Sequence, residues 1–149
     1  MKKNAALFTS NSAEWATPQE LFDRLELEFR FNLDPCASYE NHKCKKYFTK
    51  EDDGLSHPWY AGRVFMNPPY GREIGKWIDK AIIETSVDDG ALFVVALVPA
   101  RTDTKWWFRA VKAGAGAMFI RGRLKFGGSK NSAPFPSALL LFRNKKILM

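Results

Sequence analysis

Cysteine and histidine are both scarce in this chain, with 2 of each among 149 residues. Cys36, Cys44, His42 and His57 make no zinc-ligand pattern, so no metal site is expected. Both thiols are expected to be reduced, in a cytoplasmic protein. Lys2 and Lys3 are followed by no long apolar segment, so neither a signal peptide nor a membrane span is expected. There is no internal repeat and no linker-like stretch. Acidic charge is the minority: 16 Asp and Glu stand against 23 Lys and Arg, a net charge of +7 and a pI near 9.5. Such a balance favours a polyanionic partner, and the 5 Trp and 12 Phe supply stacking surfaces. What is there otherwise is ordinary. Hydrophobic residues at 46% and charged residues at 26% describe a globular chain, not a disordered one.

The length suits one domain with a real core. Residues 1–14 are polar and small and read as a flexible arm, which leaves 15–149 as the single domain. Thr17-Pro18-Gln19-Glu20 reads as a helix start, with Thr17 as N-cap and Glu20 closing a capping box. Leu21, Phe22, Leu25 and Phe29 follow at helical spacing. Phe31 to Leu33 reads as a short strand that ends in the turn Asp34-Pro35-Cys36-Ala37. Tyr39 to Lys50 suits a short helix running into a brief strand at Tyr47-Phe48-Thr49. Ile74, Trp77, Ile78, Ala81 and Ile82 predict a core-facing helix that Gly90 ends. Ala91 to Val98 is almost wholly apolar, as a strand covered on both faces must be. A helix containing Trp106 and Trp107, a strand at Ala117 to Ile120 and a final strand at Ala138 to Phe142 complete the order.

The stretch with the most chemical content is Val64-Phe65-Met66-Asn67-Pro68-Pro69-Tyr70-Gly71. An apolar strand stops at two prolines, which have no N–H to give a sheet ladder and fix their own φ. The outcome is a rigid turn at the carboxyl end of a strand, where open α/β sheets place their ligands. The turn offers the Asn67 side-chain oxygen, the backbone carbonyls near Pro68 and the Tyr70 ring. Two acceptors beside an aromatic face suit a planar group carrying an NH2. Such an amine is a poor nucleophile because its lone pair is delocalised. Acceptors on its hydrogens favour a localised lone pair without any strong base. An aromatic ring there could stack on a base flipped out of its helix.

Asn-Pro-Pro-Tyr after a hydrophobic strand resembles motif IV of the S-adenosylmethionine-dependent amino-methyltransferases. Leu33-Asp34-Pro35-Cys36-Ala37 resembles their motif I, with Cys36 in place of an aromatic residue and Ser38 in place of glycine. The ordered set is similar to the small phage-type DNA N6-adenine methyltransferases (Dam-like). It comprises Thr17-Pro18, Leu33-Asp34-Pro35, Asp53-Gly54-Leu55 with Trp59, Asn67 to Tyr70, Val98 to Thr104 and Pro134 to Ser137. The resemblance covers roughly Trp15 to Arg143. It implies a compact Rossmann-like α/β fold with a mainly parallel sheet and helices on both faces. It also implies S-adenosylmethionine as cofactor, DNA as partner, and work in the cytoplasm (the host's, if phage-encoded).

The implied roles are specific. Asn67, Pro68, Pro69 and Tyr70 would be catalytic. Thr17, Pro18, Asp34, Pro35, Cys36, Ala37, Asp53 and Leu55 would form the cofactor site. Asp34 would pair with the methionine ammonium, Asp53 would take the adenine side with Leu55 on the ring, and Glu51 or Asp52 would hold the ribose. With no room for a separate target-recognition domain, Arg101, Thr102, Arg123 and Lys125 in strand-end loops would contact DNA. Two further readings fit the same residues. One is a methyltransferase for RNA adenine or a glutamine amide; the other is a DNA-binding relic without catalysis.

Overall fold

The computed structural model describes residues 15–147; the expected arm at residues 1–14 lies outside them. Helix α1 is Gln19–Phe29, strand β1 is Arg63–Met66 and helix α2 is Ile74–Glu84. Strand β2 is Phe93–Pro99, helix α3 is Lys105–Lys112, strand β3 is Gly116–Phe119 and strand β4 is Ser137–Arg143. Short 3-10 turns occupy Gly54–Ser56 and Phe126–Gly128.

The strands form one open sheet in the order β1-β2-β4-β3. β1 and β2 are parallel, while β4 runs antiparallel to both β2 and β3. The expectation of a mainly parallel sheet is therefore corrected to a mixed one. The cause is local. The expected strands at Phe31 to Leu33 and Tyr47 to Thr49 survive only as single parallel bridges, Leu33 to Val64 and Asp34 to Tyr47. Pro35 ends the first at once, having no N–H to continue the ladder. The helix expected after Tyr39 is absent too; that segment is turns and bends.

Helices do cover both faces. In α1, Phe22 packs edge-on to Phe65 and Phe29 packs on Phe93. Phe119 shares the other face with Ala138 and Val98 by register, and it stacks on Trp107 of α3. α2 packs on α3 and buries Ile74, Trp77, Ile78 and Ala81. Burial on both sides explains why β2 carries no alternation of polar residues: Val94 to Val98 are essentially inaccessible. Because β1, β2 and β3 run the same way, Met66, Pro99 and Phe119 all end at one edge. The turns after Leu33 and before Ser137 meet there as well. That edge carries the site.

Candidate active site

A cleft of about 350 Å³ opens at this edge. Its walls include Thr17, Asp34, Pro35, Cys36, Ala37, Asp53, Leu55, Asn67 and Pro69. Two motifs more than thirty residues apart in sequence thus share one cavity. The parallel bridge of Leu33 to Val64 aligns the two strand exits, so Asp34 and Asn67 leave the sheet side by side.

Asp34 is 4% exposed and bound through both oxygens. Oδ1 accepts from the Cys36 N–H at 3.3 Å, and Oδ2 accepts from the Lys43 N–H at 2.9 Å. Burial pushes its carboxyl up to about 6, against the pull of those two N–H groups and the Lys43 charge. Burial thus outweighs the hydrogen bonds and positive charge around this carboxyl. Cys36 is a half-buried free thiol on the cleft wall, and burial, with Asp34 beside it, raises its pKa well above the ordinary value, which disfavours the thiolate. Asp53 sits in the left-handed region at φ +58°, and its Oδ1 accepts from the Leu55 N–H at 3.3 Å. Neither Glu51 nor Asp52 lines the cleft. Asp52 is bound instead to the N–H and hydroxyl of Thr49, each at 2.9 Å.

The Asn67 amide is held from one side. Its Nδ2 donates to the Thr17 hydroxyl at 2.9 Å and to the Trp15 carbonyl. Its Oδ1 is buried and has no hydrogen-bond partner among the described residues. Pro68 is buried behind it, and all peptide bonds here are trans. Tyr70 does not line the cleft. It is 5% exposed, its hydroxyl donates to the Leu97 carbonyl at 3.3 Å, and burial raises its pKa. Phe126 and Phe135 meet its ring edge-on, at 6.3 and 5.7 Å between centroids.

Pro18 is the N-cap of α1 and lies outside the cleft, and no side chain caps that helix. The capping box expected at Thr17 is not made. Arg101, Thr102, Arg123 and Lys125 also lie outside it and are exposed. The Arg101 guanidinium sits 5.8 Å from the Phe135 ring centre, and Arg123 Nη1 donates to the Ala133 carbonyl at 3.5 Å. Thr102 lines a separate shallow recess at the start of α3.

Several cleft residues are given no site role by sequence reasoning: Trp15, Lys43, Lys50, Gly54, Glu73 and Trp77. Gly54 had a signal, a glycine directly after three acids. A Cβ there would stand 2.3 Å from the Pro35 carbonyl oxygen, so only glycine lets the two turns touch. Trp77 had none, since its helical spacing describes a core residue equally well.

The family of DNA N-6-adenine-methyltransferase (Dam) matches residues 5–146. This chain belongs to that family. It is 30% identical over 139 residues to a DNA N-6-adenine-methyltransferase of Haemophilus phage HP1, an alignment covering 88% of this chain and 79% of that one. It is 31% identical over 112 residues to a DNA N-6-adenine-methyltransferase of Escherichia phage T1, covering 74% of this chain and 45% of the longer relative.

Proposed function

We propose that this chain transfers a methyl group from S-adenosylmethionine to the N6 amine of adenine in DNA, with Asn67 Oδ1 as an acceptor for that amine. The observation that carries the site assignment is the buried, unpartnered Oδ1 of Asn67. A buried carbonyl oxygen left without a donor typically costs about 1–3 kcal/mol. Such a group makes sense where an incoming N–H completes it. As a member of its family the chain is an adenine-specific DNA methyltransferase, which favours DNA over the RNA and glutamine readings.

The donor set of the cleft suits the cofactor. A buried carboxylate at Asp34 fits an ammonium, and Asp53 with Leu55 fits an adenine edge and face. When bound, S-adenosylmethionine supplies an electrophilic methyl on a sulfonium. Everything else falls to the chain. Asp34, Pro35, Cys36 and Ala37 orient the methionine end, and Thr17 closes the wall nearest Asn67, just ahead of Pro18 at the start of α1. Asn67 Oδ1 and the Pro68 carbonyl accept from the amine and localise its lone pair, and Pro69 keeps the turn rigid. The gain comes from positioning. Tyr70 lies beneath Phe126 and Phe135, so base stacking on it requires that aromatic cover to part. Arg101, Thr102, Arg123 and Lys125 rim the same edge and meet DNA phosphates or a guanine edge.

In this reading residues 15–149 are one catalytic domain. Its sheet is a pared-down Rossmann-like methyltransferase sheet, with the Leu33 and Tyr47 bridges as its reduced parallel strands. It works where DNA and the cofactor meet, in the cytoplasm. Incubation with S-adenosylmethionine and adenine-containing duplex DNA, then mass spectrometry of the nucleosides, tests the reading. N6-methyladenine is the expected product. Cofactor binding without any methylated adenine would favour the catalytically silent alternative.

A further inference from the structure

We propose that Thr17 is a positioning residue for the Asn67 amide, and that the strap Trp15-Ala16-Thr17 sets which way round that amide sits. The inference rests on the reading of Asn67 as acceptor for the adenine amine. Asn67 Nδ2 donates to the Thr17 hydroxyl at 2.9 Å and to the Trp15 carbonyl. A carbonyl can only accept. Turning the amide by half a rotation would set Oδ1 against the Trp15 oxygen, acceptor against acceptor. The strap therefore takes the nitrogen and leaves Oδ1 for another donor, and Oδ1 is indeed unpartnered among the described residues.

The strap is anchored independently of Asn67. The Trp15 ring meets Phe126 and Phe135 edge-on, each at 5.4 Å between centroids. The Gly127 N–H donates to the Ala16 carbonyl at 2.9 Å. Thr17 itself is 6% exposed, and its hydroxyl has no capping duty because α1 starts from Pro18. A buried hydroxyl freed from capping and bound to a residue fifty positions away is placed for that residue. Small misplacements of a catalytic group can be costly in rate, which gives the anchoring its purpose.

The test compares Thr17→Val, Thr17→Ser and their combinations with Asn67→Ala. Valine keeps the shape and cannot accept from Nδ2. We expect Thr17→Val to lower kcat for adenine methylation roughly tenfold. KM for DNA should stay within about twofold of the parent, and Thr17→Ser should restore kcat. On the Asn67→Ala background, Thr17→Val should add no further loss, as partners in one interaction do. Wild-type kcat in Thr17→Val, a loss confined to cofactor affinity, or a full additional loss on Asn67→Ala would each overturn the proposal. Should Thr17→Val not fold, Thr17→Ala takes its place.

A second readout does not depend on turnover. Hydrogen exchange of the Asn67 side-chain amide, followed by nitrogen-15 NMR, should be slow in the parent and faster in Thr17→Val. Equal exchange in both would also overturn the proposal. A parent protein that binds cofactor but methylates no DNA would refute the proposed function alone, and amide exchange would still decide the role of Thr17.

Discussion

Asp34 shows how one side chain can serve structure and ligand in turn. Its carboxyl titrates near 6 because burial outweighs two N–H bonds. In the ligand-free protein the folded state thus favours the protonated form. That stabilisation is complete below the ordinary value of 3.8 and is lost as pH rises through about 6. Cofactor binding has the opposite sign, because an ammonium needs the carboxylate. The affinity for S-adenosylmethionine, measured by calorimetry, should weaken as pH falls below about 6, and Asp34→Asn should abolish that dependence while lowering affinity about tenfold or more at neutral pH. Tyr70 carries a different lesson. Its buried ring makes Tyr70→Ala a core deletion, costing about 3–5 kcal/mol of stability, so it reports on folding first. Tyr70→Phe is the clean probe: it loses only the bond to Leu97, about 1 kcal/mol in urea unfolding, and keeps the ring. The turn that carries Asn67 was legible in the sequence because two prolines mark it. The unmade cap at Thr17 was not. A Thr-Pro pair before a helix announces a cap by local preference, and a partner fifty residues on overrides it.

Among the elements, the strands at β1, β2 and β4 were legible because continuous apolar runs have few alternatives in a domain of this size. The edge near Asp34 was not, since a strand of one bridge leaves no periodicity to read. Gly90 is likewise misread from sequence as a helix end. α2 stops at Glu84, and Gly90 is required because a Cβ there would lie 1.9 Å from the Glu84 carbonyl oxygen. The Glu84 side chain joins elements in its own right. Oε1 accepts from the Trp59 N–H at 2.8 Å and Oε2 pairs with Lys80 at 2.9 Å, with little exposure on either side. Glu84→Ala should destabilise the fold by about 3 kcal/mol in urea unfolding, since it strands a partly buried ammonium and a buried N–H together. An effect below about 1 kcal/mol would mean that water reaches the pair. At the cleft, Gly54→Ala should force Pro35 outward, costing about 1–3 kcal/mol of stability in urea unfolding, and weaken cofactor binding roughly tenfold by calorimetry.

At the scale of the whole molecule, several cations stand where the strands end. Arg101, Arg121, Arg123, Lys125 and Lys130 all stand in the loops at the cleft's edge of the sheet. If these meet phosphate, DNA affinity should fall steeply with salt, and replacing Arg123 and Lys125 together should flatten the slope by roughly two phosphate contacts. An unchanged slope in a fluorescence anisotropy titration would move the DNA surface elsewhere. The measurement that bears most directly on the account is methyl transfer by Asn67→Ala. The substitution leaves the strand, both prolines and Tyr70 in place, and it spares Asp34 and Asp53. With DNA and S-adenosylmethionine saturating, single-turnover formation of N6-methyladenine should be slower by about 10²–10³, while calorimetry shows cofactor affinity little changed. Asn67→Asp, which keeps an acceptor, should retain more activity than Asn67→Ala. Methylation of adenine by Asn67→Ala at the parent rate would contradict the account, because the buried oxygen of Asn67 would then have no part in the reaction.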